Sequence, residues 1–414
     1  MDGDTRRGRA AGGREALLVA APWPYHPTCG IGGGVLCFRL LERLAEHFTL
    51  HFAAFDQVPN DLEAGRAALA RLCASVTIMP APRPVRGWRD RLAQATQVAT
   101  ARPREVRDAA SGTMAAAIAR LVAETRPVAT LLQFPQMAQY IPAAAGAPVV
   151  MDVQDACMVS RFREWRSTRP AAKRAARLAA WIAWSRYELR FYGQADALLA
   201  LNANDLGVLR SFVPAVPCHL SAVAAEPQRR RDTEGSLVSF LGNFDHAPNR
   251  DALAWLLRDI WPRVRAAAPE ARLQVGGPGI PSWARGHEAA GVELRGFVES
   301  LDGFYGDAAM ALVPYRFGGG TKIKALEAMA RGCPVVATTI GAEGLGVTPG
   351  REVLLADDAA GFAAAVASLL AVPERRRALA EAALRHVAQH FSWDAKVAGL
   401  LTILREVGRK TEPA

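Results

Sequence analysis

Two glycine-rich segments could present backbone amides and cations to an anion. The stronger is Tyr315-Arg-Phe-Gly-Gly-Gly-Thr-Lys-Ile-Lys324, which follows the apolar run Met310–Pro314 and leads into a helical pattern over Lys322–Ala330. Glycines let a backbone approach a ligand closely, and the free amides of a first helical turn attract negative charge. Lys322 and Lys324 would sit in that turn against the helix macrodipole, a conflict that an anionic ligand relieves. Glu327 lies one turn further on, where its carboxylate could accept hydrogen bonds from vicinal ribose hydroxyls. The competing reading of Glu327 is a local ion pair with Lys324 at i, i+3, worth about a few tenths of a kcal/mol. The second segment, Gly30-Ile-Gly-Gly-Gly34, precedes a helical pattern over Val35–Phe48. It is not a dinucleotide fingerprint, because a GxGxxG read from Gly30 needs glycine where Val35 stands. Gly32, Gly33 and Gly34 remain candidates for a ligand loop, with a plain turn as the alternative.

The elements around these segments alternate. Short apolar runs at Ala16–Ala21, Leu50–Phe55, Ser75–Met79, Val128–Gln133, Val149–Val153 and Ala197–Ala200 are separated by helical stretches. Alternation of this kind predicts a parallel sheet covered on both faces. Pro214–Glu234 interrupts the pattern and reads as a linker. Strand-like runs then resume at Leu237–Leu241, Arg272–Val275, Val292–Leu294, Met310–Pro314, Pro334–Thr338 and Val353–Ala356. A helix from Asp251 carries one apolar stripe of Leu253, Leu256, Leu257, Ile260 and Val264. The prediction is an α/β chain of two doubly wound domains, with a ligand in the cleft beyond the carboxyl ends of the strands. The expected boundaries are a disordered tail 1–14, a first domain 15–220, a linker 221–234 and a second domain 235–392. A final helix and tail, 393–414, would pack back toward the first domain.

The 414 residues are 50% hydrophobic and 22% charged, an ordinary globular composition. No apolar run approaches the roughly 18–20 residues of a bilayer span, and Ala16–Ala21 is too short for a secretory signal. Cys29, Cys37, Cys73, Cys157, Cys218 and Cys333 form no CxxC pair, which argues against a zinc ribbon or disulfide scaffold and suits a reducing cytoplasm. The net charge of +10 lies wholly in residues 1–230, which hold 29 Lys and Arg against 19 Asp and Glu. Residues 161–190 concentrate it, with nine basic residues against Glu164 and Glu188, and with Phe162, Trp165, Trp181, Trp184 and Tyr187 interleaved. Arginine with tryptophan suits an anionic membrane surface; the alternatives are a solvated helix face with core aromatics, and nucleic acid, which is not expected.

Several stretches resemble a known family. Phe240-Leu-Gly-Asn-Phe-Asp-His-Ala-Pro-Asn249, Gly296-Phe-Val298, the Pro314–Ala330 segment, Gly341-Ala-Glu-Gly-Leu345 and Phe391-Ser-Trp393 resemble the donor half of retaining glycosyltransferases of family four, in a GGGT glycine-loop form. Pro148-Val-Val-Met-Asp-Val-Gln-Asp155, Arg186-Tyr-Glu188 and Ala195-Asp-Ala-Leu-Leu199 resemble the family's first domain more loosely. The resemblance implies the GT-B fold, two Rossmann-like domains facing a central cleft, with a nucleotide-sugar held mainly by the second. It implies a ribose-binding role for Glu327, as the second of two glutamates eight residues apart. The first glutamate falls at Gly319, so its contact with the donor sugar is absent. The family's Arg and Lys phosphate pair falls around Asn243 and Pro248, and its first-domain histidine falls near Gln133–Gln136, where there is none.

The expectation is therefore a glycosyltransferase acting on a glycan, lipid-linked or small-molecule acceptor. Asp155 and Lys322 are the catalytic candidates. Asn243, Arg316, Gly318, Gly319, Gly320, Thr321, Lys322, Lys324 and Glu327 are the donor-binding candidates, and Gly32, Gly33 and Gly34 an acceptor or phosphate loop. Asp155 also has a plainer reading as an N-cap or turn carboxylate. No Asp-x-Asp pair suited to a diphosphate-bound cation is present, so neither a metal nor another cofactor is expected. A cytoplasmic chain, peripheral at the inner face of the membrane, is the expected setting. An epimerase of the same fold and a non-catalytic nucleotide-binding relative are the alternatives.

Overall fold

The computed structural model describes residues 14–27, 32–57, 61–168, 170–228 and 235–409. Most of the expected N-terminal tail, Gly30, Arg169, residues 229–234 of the expected linker and the last five residues lie outside them. Two parallel sheets organise the chain. The first contains β1 (Ala16–Ala21), β2 (Thr49–Phe55), β3 (Cys73–Met79), β4 (Ala129–Gln133), β5 (Val149–Asp152), β6 (Ala197–Ala200) and β7 (Cys218–Leu220), in the order β3-β2-β1-β4-β5-β6-β7. The second contains β8 (Leu237–Leu241), β9 (Arg272–Gly276), β10 (Val292–Gly296), β11 (Met310–Val313), β12 (Val335–Ala337) and β13 (Leu354–Leu355), in the order β10-β9-β8-β11-β12-β13. These are two Rossmann-like domains, the GT-B architecture.

Burial on both faces explains why the strands read as unbroken apolar runs. In β1, Leu17, Val19 and Ala21 enter one core layer, while Leu18 and Ala20 enter the layer on the opposite face. β7 lies inside the segment Pro214–Glu234 read as a linker. Three residues sufficed there for an edge strand paired to β6 from Leu198↔Cys218 to Ala200↔Leu220. The single helix expected from Asp251 is instead Ala247–Trp255, a π-helical turn Leu256–Ile260 and Trp261–Ala267. Pro262 supplies the cause, because it lacks an amide and its ring crowds the carbonyl one turn earlier.

The helix Trp393–Arg409 returns to the first domain. Trp393, Val397, Leu400, Leu404 and Val407 form one stripe buried with Leu17, Val19 and Leu131 of the first sheet. The Arg43 guanidinium stacks 4.3 Å from the Trp393 ring centroid. Sequence-distant neighbours adjoin at β1–β4 and β8–β11, the switch points where such folds open a crevice. The helix after β8, Ala247–Trp255, carries Asn249, the loop after β11 carries the Tyr315–Lys324 glycine segment, and the loop after β5 carries Asp155.

Candidate active site

The loop after β11 is shaped by its glycines. Gly318 and Gly320 have φ of 129° and 66°, backbone that side chains rarely adopt. Gly319 is required for a different reason: a Cβ there would lie 2.5 Å from both Asp155 Oδ1 and Ser160 Cβ of the first domain. The helix then runs Ile323–Ala330, one residue later than expected. Lys322 is therefore its N-cap and not a first-turn residue. The buried Lys322 ammonium turns back to donate to the carbonyls of Gly319 at 2.7 Å and Gly320 at 2.9 Å. Burial lowers its pKa, against the opposing fields of Glu343 and Asp155. Lys324 and Glu327 form the local pair, Nζ to Oε2 at 2.9 Å.

Asp155 faces this loop from the other domain. It stands three residues beyond β5, ahead of the helix Cys157–Ser167. It caps nothing: the leading amides of that helix, Cys157 and Met158, donate to Glu188 Oε1 and Oε2, each at 2.8 Å. Gln154, at φ 59°, turns the chain and donates to Asp152 Oδ2 at 2.6 Å. The buried Asp155 Oδ1 has no hydrogen-bond partner among the described residues. Burial raises its carboxyl pKa, opposed by a hydrogen bond from Ser160 and by the Lys322, Arg161 and Arg163 charges.

A cavity of about 440 Å³ lies between the domains, lined by Asp155, Gly318, Gly319, Thr321, Lys322 and Lys324 among others. These sequence candidates are thus brought together. Gly320 backs the loop, 3.8 Å by its would-be Cβ from Asp155 Oδ1. Others are placed elsewhere. Asn243 organises its own turn, accepting from the Asp245 amide at 3.0 Å and through its carbonyl from Asn249 Nδ2 at 2.6 Å. It is Asn249, with His246, that reaches the cavity wall. Arg316 is held by Asp251 in a two-point pair at 2.9 and 2.6 Å and stacks over Trp255, away from the cavity. Glu327 lines a small adjoining cleft of about 90 Å³ with Val35, Leu36 and Arg39. Gly32, Gly33 and Gly34 do not line the cavity that holds Asp155 and Lys322. They begin the helix Gly32–Leu44, which starts three residues before the expected Val35 and ends before Phe48.

Contacts between the domains close one side of the site. Arg163 holds both carboxylate oxygens of Glu343, with Nη2 to Oε1 at 2.6 Å, and donates to the Gly318 carbonyl at 3.3 Å. Asn204 adds a bond to Glu343 at 2.8 Å, and Thr321 Oγ1 donates to the Leu201 carbonyl at 3.2 Å. Burial alone would raise the Glu343 carboxyl, but these bonds hold it below its ordinary value. Arg163, Asn249 and Glu343 are site residues that sequence reasoning missed. Asn249 and Glu343 stand within the quoted resemblance, and Arg163 within the basic segment.

That basic segment is not one uniform face. Trp184 and Tyr187 are core residues. Arg161 pairs with Glu105 and Glu164, and Arg177 with Glu164. Arg166, Lys173, Arg174, Arg186 and Arg190 are exposed, with no carboxylate partner among the described residues. Among the described residues no helix is long and apolar enough to cross a membrane, and no group of three or more His, Cys, Asp or Glu could hold a metal ion.

Residues 235–372 match the family described as Glycosyl transferases group 1. That match covers about a third of the chain, within the second domain, and agrees with the GT-B architecture of the two sheets. It is similar over 96% of its length to all of sucrose-phosphate synthase from Thermosynechococcus elongatus, with a TM-score of 0.71 at 17% identity. It is similar over 94% of its length to HepE from Anabaena in complex with UDP, again the whole of that chain, with a TM-score of 0.65 at 11% identity. By sequence it is 27% identical over 157 residues to an uncharacterized 44.6 kDa protein in the cps region of Klebsiella pneumoniae, covering 36% of this chain and 40% of that protein. It is 42% identical over 83 residues to D-inositol 3-phosphate glycosyltransferase of Rhodococcus opacus, covering 20% of this chain and 18% of that one. The matched stretch thus spans less than half the length of either curated relative.

Proposed function

We propose that this chain transfers a sugar, with retention, from a uridine diphosphate sugar to an acceptor hydroxyl, as a glycine-loop member of glycosyltransferase family four. One observation carries the reading: the glycine loop and Lys322 share the wall of an interdomain cavity with Asp155, whose buried Oδ1 has no hydrogen-bond partner among the described residues. HepE, similar in fold, was solved with UDP, which suggests the base. The Lys324 amide, in the first turn of Ile323–Ala330, and the Lys322 ammonium would receive the diphosphate, the Ile323 amide being held by the Thr321 carbonyl at 2.9 Å. Glu327 would exchange Lys324 for the ribose hydroxyls. In the transfer, the bond from the anomeric carbon to the diphosphate oxygen breaks and its electron pair leaves with the nucleotide. The acceptor oxygen bonds to the same face of that carbon, and its proton passes to the departing phosphate oxygen. Stabilising the charge that develops on the leaving group is the main demand, and Lys322 with the Lys324 amide would meet it without a metal.

Asp155 answers the missing glutamate at position 319. Its Oδ1 occupies the space into which a side chain from Gly319 would project. A first-domain carboxylate would thus accept from the donor sugar's hydroxyls where the family's own glutamate does so. Calorimetry with UDP and GDP, followed by turnover with their sugars, tests the reading. UDP binding that weakens in Lys322→Ala is expected. No binding of either nucleotide at millimolar concentration would refute it.

A further inference from the structure

We propose that Asp152 is a positioning residue for the donor sugar: its buried carboxylate holds the turn at Gln154 and so aims the Asp155 carboxylate at the glycine loop of the other domain. The proposal rests on the assignment of Asp155 to the donor sugar and names what sets that side chain in place. Asp152 is the last residue of β5. The sheet still holds Val153, whose amide donates to the Leu199 carbonyl at 3.0 Å. The chain then turns within three residues: the Asp155 amide donates back to the Val153 carbonyl at 2.6 Å, with Gln154 between them at φ 59°. This is the rare, strained form of the γ-turn. It sets the Asp155 carboxylate against Gly319, and a Cβ at Gly320 would lie 3.8 Å from the Gln154 carbonyl oxygen.

Strained backbone persists only where its surroundings over-determine it. Among the described residues, four other than glycine have positive φ. Ala101 and Arg126 close helices, an ordinary place for left-handed backbone. Phe134 and Gln154 close none. They follow the neighbouring strands β4 and β5, and both are tied to Asp152. The Phe134 amide donates to the Asp152 carbonyl at 3.1 Å. Asp152 Oδ2 accepts from Gln154 Nε2 at 2.6 Å and from Gln133 Nε2 at 3.2 Å. A glycine would take the turn freely, whereas Gln154 takes it with its side chain fastened to the end of the strand. Asp152 is only 4% exposed. Burial raises its carboxyl pKa, opposed by the Lys396 charge and by the Gln133 and Gln154 amides. Lys396 gives its own hydrogen bonds to Ser221 Oγ at 3.0 Å and to the Ser221 and Ala222 carbonyls at 2.9 and 2.8 Å. It therefore lends Asp152 charge and leaves Oδ2 to the two glutamine amides.

Calorimetry on the full chain with UDP, UDP-glucose, UDP-galactose and UDP-N-acetylglucosamine tests the assignment, with the best-bound sugar nucleotide compared with UDP. Asp155→Ala should weaken the sugar nucleotide at least fivefold and leave UDP within twofold. Gln154→Leu, which removes the amide and keeps Asp152 with Lys396, should do the same. In an Asp155→Ala chain Gln154→Leu should cost nothing further, because the turn acts through that carboxylate alone. Asp152→Ala should match Gln154→Leu. Adding Gln154→Gly to Asp152→Ala should bring sugar-nucleotide affinity back to within twofold of the wild type, since glycine takes positive φ unaided. A carboxylate that served only to balance Lys396 would not be rescued in this way. Wild-type affinity in Gln154→Leu, or an Asp152→Ala/Gln154→Gly chain no better than Asp152→Ala, would overturn the proposal. Normal sugar-nucleotide binding by Asp155→Ala would overturn it together with the assignment of Asp155. Absent UDP binding in the wild type would instead refute the UDP-sugar reading itself.

Discussion

The Lys322 ammonium gives two of its three N–H groups to the carbonyls of Gly319 and Gly320, so it serves as the clasp of the loop as well as its charge. Replacing it with alanine should weaken nucleoside diphosphate binding by about 1.5–3 kcal/mol, the range for charge-assisted hydrogen bonds. Uridine affinity should hardly change, as calorimetry with the two ligands would show. Because burial lowers the Lys322 pKa, its charge is present below that pKa and is lost as pH rises through it. UDP affinity should therefore decline at alkaline pH sooner than an ordinary lysine would allow, and Lys322→Arg should remove that decline. Gly319→Ala is the complementary change. Its methyl would meet Asp155 Oδ1 and Ser160 Cβ at 2.5 Å. Overpacking of this kind costs about 1–3 kcal/mol. The strain falls on the approach of the domains, so kcat should drop at least tenfold while the melting temperature moves little.

Two helices of the first domain are joined by one carboxylate. Glu188, from the helix Ala171–Tyr192, accepts the leading amides of Cys157–Ser167 and is fully buried. Burial is the larger influence and raises its pKa from 4.5 to about 8, although the Met158 and Cys157 amides pull it down. Protonated Glu188 thus contributes stability that is fully present below 4.5 and is lost as pH rises through about 8. The melting temperature should fall across that window, and Glu188→Gln should flatten the fall in a pH series of thermal melts. The same element shows what local pattern conveys. Arginines and aromatics of residues 161–190 alternate in sequence without regard to face. Trp184 and Tyr187 turn into the core, while Trp165 and Trp181, half-buried, stack on each other at 5.7 Å.

At the scale of the molecule, the cleft is held by few polar contacts. The Arg163–Glu343 pair, with side chains 30% and 12% exposed, joins the domains together with Asn204 and Thr321. A partly exposed pair contributes about 1 kcal/mol, small beside the fold but comparable to the balance between open and closed domains. Arg163→Ala should therefore increase the radius of gyration in small-angle scattering and lower kcat, with UDP affinity little changed because Lys322, proposed to receive the diphosphate, belongs to the second domain. An unchanged scattering profile would show that the packing of Trp393–Arg409 on the first sheet suffices to fix the domains.

The sequence by itself determined the two parallel sheets, because strands buried on both faces must be apolar throughout and short helices must separate them. It also marked the glycine loop after β11, since consecutive glycines ahead of a helical pattern free the backbone for close approach, although the same pattern at Gly32–Gly34 lines no part of the cavity that holds Asp155 and Lys322. β7 escaped because a three-residue edge strand carries too little pattern to stand out from a linker. Everything that makes the loop a site was decided by tertiary structure. The meeting of Gly319 with Asp155, the turning of Lys322 onto the loop, the capture of Arg316 by Asp251 and the capping of Cys157 by Glu188 join residues whose types reveal no partner. The docking of two separate cores selects those partners, and burial then sets which of their charges persist.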